Sequence, residues 1–124
     1  MLNQSVVSII DDDQSVRVAT GSLVRSLGWE VRVYESGEAF LNADQILDVA
    51  CIISDVQMPG ISGLEMYEVL LEKGAAPPVI FITSFPSEAM YRQAMKLGAI
   101  CVFSKPVDPV QIELRLEHIG SSGA

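Results

Sequence analysis

Five short apolar runs recur along the chain, at Val6–Ile10, 31–34, 50–54, Val79–Thr83 and 99–104, and the gaps between them leave room for helices. Strands that alternate with helices favour a parallel sheet, because each helix returns the chain to the edge where the next strand starts. Four of the runs are rich in Val and Ile with little internal polarity, as suits strands covered on both faces. The run at 31–34 is interrupted by charge at Glu30, Arg32 and Glu35 and reads as an edge strand.

Helical patterns fill the gaps. Val16, Ala19, Leu23 and Leu27 form one apolar stripe, ended by Gly28. Residues 36–42 give a shorter helix with Ala39 and Phe40 turned inward. Ser62 can cap a helix that carries Leu64, Tyr67 and Leu71, with Gly74 beyond it. Ser87 can cap the next, with Met90, Ala94 and Leu97 inward and Gly98 as terminator. Asp108 and Pro109 open the last helix, and residues 120–124 read as a frayed tail. Right-handed crossovers then predict an α/β domain: a flavodoxin-like doubly wound sandwich, with five helices on a five-stranded parallel sheet of order 2-1-3-4-5.

The chain has 124 residues, enough for one compact domain, and 49% of them are hydrophobic. No apolar run is long enough to span a bilayer, and MLNQSVVSII lacks the basic start of a secretory signal. A soluble, cytoplasmic domain is expected. The net charge of −8, from 16 acidic and 8 basic residues, argues against direct nucleic-acid binding. Cys51 and Cys101 lie in apolar segments and read as core residues, with no zinc-ligand spacing around them. His118 is the single histidine and reads as a surface residue.

The chemistry gathers where the predicted strands end. The first run ends in Asp11-Asp12-Asp13, the third in Asp55, the fourth in Thr83-Ser84 and the fifth in Lys105-Pro106. Alone, an acidic triplet reads as a solvated loop, and a cation site is the alternative. In a parallel sheet, however, all four ends share one edge, so the carboxylates, a hydroxyl and an ammonium converge. Carboxylates about 4 Å apart repel one another by about 4 kcal/mol at an effective dielectric near 20. Lys105 can offset one charge, and a hard divalent cation such as Mg²⁺ two more. Such a set suits phosphoryl transfer, with a carboxylate as the nucleophile.

With these residues in view, the chain resembles the receiver domain of bacterial two-component response regulators over nearly its whole length. The motifs are IIDDD at 9–13, SDVQMPGISGLE at 54–65, FITS at 81–84 and FSKP at 103–106. AMKLGA at 94–99 is most similar to the FixJ group, whose members usually carry a C-terminal helix-turn-helix domain. The resemblance implies that Asp55 is the phosphoacceptor and that Asp11 and Asp12 hold Mg²⁺ with Asp55 and the Gln57 carbonyl. It implies that Thr83 is a switch hydroxyl, that the Lys105 ammonium pairs with a phosphoryl oxygen, and that the peptide bond from Lys105 to Pro106 is cis. Met58, Pro59 and Gly60 would shape the loop after Asp55, and Ser84 would start the loop that responds.

Two departures stand out. Val102 occupies the position where the family normally has a switch aromatic, and Phe103 beside it points to the other face by strand alternation. Phe85-Pro86 follows Ser84, and the Phe85 ring is expected to cover part of the site. The resemblance further implies a sensor histidine kinase as partner. On the last helix Val110 and Leu114 form one apolar line and Ile112, Leu116 and Ile119 a second; either both lie on one broad, partly buried stripe, or one is the face of a homodimer or effector contact. Residues 1–120 are read as the receiver domain, with 121–124 either a natural terminus or the start of a linker toward a DNA-binding output domain. Two rivals stay open. Asp11 and Asp13 mimic the DxD motif of haloacid-dehalogenase phosphatases, and Val102 fits a pure interaction module that keeps the fold without the phosphorylation.

Overall fold

The computed structural model describes residues 6–43 and 48–122, with side chains up to residue 120. Strands β1 (Val6–Ile10), β2 (Glu30–Tyr34), β3 (Val49–Asp55), β4 (Val79–Thr83) and β5 (Cys101–Ser104) form one sheet in the order β2-β1-β3-β4-β5. All four pairings are parallel. Helices α1 (Gln14–Ser26), α2 (Gly37–Leu41), α3 (Gly63–Glu72), α4 (Glu88–Lys96) and α5 (Pro109–Ser122) connect and follow the strands. The expected fold class and strand order are those observed.

Strand alternation splits the core in two. Val6 and Ile10 of β1, Ile52 of β3 and Phe81 of β4 face Phe40 of α2, Leu64, Met66, Tyr67 and Leu70 of α3, and Ala94 of α4. Val7 and Ile9, Ile53, Ile80 and Ile82 face the other way, toward Val24 of α1 and Ile112 and Leu116 of α5. Cys51 and Cys101 are buried in this second layer as free thiols. β5 is the second edge of the sheet and is only partly covered, unlike the buried strand expected from its composition.

The helix caps follow the sequence closely. Ser36, Ser62 and Ser87 each accept a backbone N–H of the first turn, and Asp108 accepts from the Val110 N–H. Ser62 and Glu65 form a reciprocal capping box. Two inward faces differ from expectation by one helical position. Val24 is fully buried while its neighbour Leu23 is only partly buried, and Leu70 is fully buried while Leu71 is 42% exposed; Ala19 of the expected stripe is exposed. α5 continues to Ser122, beyond the expected boundary at 120, and residues 123–124 of the expected tail lie outside the described residues.

Two close approaches position the loop after β3. A Cβ on Gly63 would collide with the Asp55 carbonyl oxygen, so α3 can start directly beneath that residue only with glycine there. Gly60 has φ +80°, and the Glu38 carboxylate of α2 lies where its Cβ would be, accepting the Ile61 N–H at 3.0 Å. Glu38 thus clasps the loop from the side.

Candidate functional site

The strand order makes β1 and β3 neighbours, with β2 on one flank and β4 on the other. Loops leaving the carboxyl ends of two such strands diverge and open a recess, the usual ligand position in an open α/β sheet. Register then fixes the heights. Ile10 pairs with Ser54, which brings Asp11 level with Asp55. Asp55 pairs with Ile82 and Thr83 with Ser104, so Thr83 and then Lys105 each lie one step further out.

Three carboxylates meet in this recess. Ligand oxygens of Asp11, Asp12 and Asp55 all lie within 4.8 Å of one another. Asp11 and Asp55 are buried, and Asp12 is exposed at the mouth. Lys105 reaches back over them, with Nζ 3.0 Å from Oδ2 of Asp11 and 3.1 Å from Oδ2 of Asp55. Two unit charges 4.8 Å apart repel by roughly 3–4 kcal/mol at an effective dielectric near 20. One ammonium among three carboxylates leaves net negative charge in a partly dry site. Burial pushes the Asp55 carboxyl above its ordinary pKa; the charges of Asp11 and Asp12 add to the rise, and the Lys105 hydrogen bond opposes it. Burial works against the Lys105 charge, yet its hydrogen bonds to Asp11 and Asp55 outweigh that and raise its pKa. An all-oxygen donor set with excess negative charge fits a hard divalent cation such as Mg²⁺.

Asp13 does different work. Its carboxylate accepts from Ser15 N and Oγ at 2.9 and 2.7 Å and, as the α1 cap, from Val16 N. The Ser15 hydroxyl bond, ahead of the Val16 N–H, lowers its pKa. A DxD site would need Asp13 beside Asp11, and its capping role turns it away. Asp11 is itself braced: Oδ1 accepts the Asp13 N–H at 2.9 Å, and its carbonyl accepts Nη1 of Arg17 at 2.7 Å.

Thr83 is fully buried at the end of β4. Its Oγ1 donates to Oε1 of Gln57 at 2.7 Å and accepts the Phe85 N–H at 3.0 Å. The sequence points only to the backbone carbonyl of Gln57, and this side-chain contact is new. Together with Arg17, it is what sequence reasoning missed. The register that sets Asp55 beside Ile82 is the signal that brings residues 57 and 83 together.

The remaining expected residues lie around this centre. Met58 packs against the first core layer, Pro59 is exposed, and Ser84 is exposed at the start of the loop to α4. The Lys105–Pro106 peptide is cis. Val102 faces the α4 side and packs on the first layer, while Phe103 packs on the second with Arg115 6.0 Å from its ring. Phe85 is 73% exposed, so its ring stands in solvent and does not roof the site as expected. His118 is exposed on α5.

Residues 7–117 match the response regulator receiver domain. The chain belongs to the response regulator receiver family. It is 45% identical over 103 residues to the response regulator protein TmoT of Ectopseudomonas mendocina, covering 83% of this chain and 47% of TmoT. It is 43% identical over 106 residues to the transcriptional regulatory protein FixJ of Azorhizobium caulinodans, covering 86% and 50%. The crystal structure of FixJ-N superposes with a TM-score of 0.82 at 30% identity, over 97% of this chain and 96% of that one. The chain spans about half the length of the curated relatives it matches. A receiver of this family is a signalling switch in a two-component system, and several relatives are transcriptional regulatory proteins. Among the described residues no helix is long and apolar enough to cross a membrane.

Proposed function

We propose that this receiver is switched by phosphorylation of Asp55. The observation that carries the reading is the Lys105 ammonium held 3.1 Å from a buried Asp55 carboxylate, beside two further carboxylates. An oxygen of Asp55 attacks the phosphorus of a phosphohistidine on a sensor kinase. The new O–P bond forms as the P–N bond breaks, and the imidazole nitrogen leaves with the bonding pair. The product is an acyl phosphate, which water later hydrolyses to inorganic phosphate and the free carboxylate. Lys105 pairs with a phosphoryl oxygen, and Thr83 turns its hydroxyl toward another. Asp11, Asp12, Asp55 and the Gln57 carbonyl are the residues to hold Mg²⁺, which when bound supplies positive charge against the phosphoryl oxygens.

The output follows the same elements. Movement of Thr83 biases Ser84, the rest of the loop 84–87, and α4, in the sense that allostery requires. On α5, Ile112 and Leu116 are buried while Val110 and Leu114 are 55% and 51% exposed, which supports a homodimer or effector face there. The relatives are about twice as long and include transcriptional regulators, which supports a DNA-binding output domain beyond a receiver of residues 1–120 in the cytoplasm. The acid-rich receiver itself does not contact the nucleic acid. The test is mass spectrometry after treatment with acetyl phosphate and Mg²⁺. One added phosphoryl group on Asp55, lost in Asp55→Asn, is expected; equal labelling of Asp55→Asn would refute the reading.

A further inference from the structure

A hydroxyl has one proton to give and two lone pairs to receive with. Thr83 has already committed its proton: Oγ1 donates to Oε1 of Gln57 at 2.7 Å. One of its lone pairs takes the Phe85 N–H at 3.0 Å. A phosphoryl oxygen on Asp55 is an acceptor only, so it needs the same proton that Gln57 now receives. The two partners cannot be served at once.

We propose that the Gln57 side chain is a latch, competing with the phosphorylated Asp55 for the Thr83 hydroxyl proton and so holding the receiver in its resting state. This rests on the reading that Thr83 turns toward the phosphoryl group. Gln57 is a positioning residue here, acting through Thr83 and not on the reacting atoms. Its exposure fits the role, because water can replace the lost bond once the hydroxyl leaves. Thr83 is fully buried and has no such recourse, so its proton must pass directly from one acceptor to the other. The bond from Phe85 N–H to the same oxygen extends the latch to the backbone leading into α4. Val102, packed beneath, offers no ring whose position could hold the resting state instead.

The test is a titration of the wild-type chain with beryllofluoride in the presence of Mg²⁺, a mimic of the phosphoryl group. Gln57→Met keeps the length of the side chain and removes the acceptor. Its dissociation constant for beryllofluoride is expected to fall about two- to tenfold, the net worth of one neutral hydrogen bond. In a Thr83→Val background the same change at 57 is expected to have no effect. The backbone amide resonance of Phe85 in free Gln57→Met should also move toward its position in the beryllofluoride-bound wild type. Unchanged or weaker binding by Gln57→Met, or an equal gain with Thr83→Val, overturns the latch while leaving phosphorylation intact. A wild-type chain that binds no beryllofluoride with Mg²⁺ overturns the phosphorylation reading, and the latch with it.

Discussion

α3 and α4 make an instructive pair. Each follows a strand that ends in a site residue, Asp55 before α3 and Thr83 before α4. Each is capped by a serine, Ser62 or Ser87. Their packing is unlike. α3 buries Gly63, Leu64, Met66, Tyr67 and Leu70, and the Tyr67 hydroxyl donates to the Pro77 carbonyl at 2.7 Å. α4 buries Ala94 alone, and Tyr91 is 50% exposed. Residues 84–87 that lead into it are all exposed. Local stability follows apolar burial, so the helix behind Asp55 is fixed and the helix behind Thr83 is free to shift at low cost. A switch needs both properties, and here they reside on successive crossovers.

The contrast can be broken most sharply by truncation. Leu70→Ala in α3 is expected to lower the unfolding free energy by roughly 2–5 kcal/mol, whereas Tyr91→Ala in α4 should cost no more than about 0.5 kcal/mol. Urea denaturation of the two variants checks this, and equal losses would erase the difference. A smaller effect is expected from Gly63→Ala, whose methyl group must push on the Asp55 carbonyl. We expect a loss of about 1–3 kcal/mol, with a slower rate of labelling by acetyl phosphate.

The mildest change concerns charge. Because burial raises the Asp55 pKa, the folded chain holds a proton there that the unfolded chain has already released. Stability contributed by that proton is present in acid. It is lost as pH rises from the ordinary aspartate range through the raised value. Asp55→Asn should flatten that part of the profile, raise the melting temperature at pH 7 by a few degrees, and weaken stabilisation by Mg²⁺. Thermal scans against pH, with and without Mg²⁺, measure all three.

Much of this was legible in the order of residues. Alternating runs and serine caps gave the elements, and their ends gave the acidic set with Thr83 and Lys105. Helix phase was harder. Leu70 and Leu71 are adjacent and chemically identical, and about 100° of rotation separates them, so only the packed structure selects the inner one. Leu23 and Val24 illustrate the same difficulty. The role of the Gln57 side chain was harder still. An exposed polar side chain follows no periodicity, and its partner is 26 positions away on another strand. Only sheet register relates the two.

The clasp between Glu38 and the Ile61 N–H gains meaning beside the bond between Thr83 and Gln57. Both fasten a segment at the rim of one recess. The first is donated by a backbone N–H whose direction the chain fixes, so it cannot swing toward an anion on Asp55. The second depends on a hydrogen that a newcomer can claim. Which wall of the recess can give way is therefore set by the freedom of the donor to turn, not by the weakness of its bond.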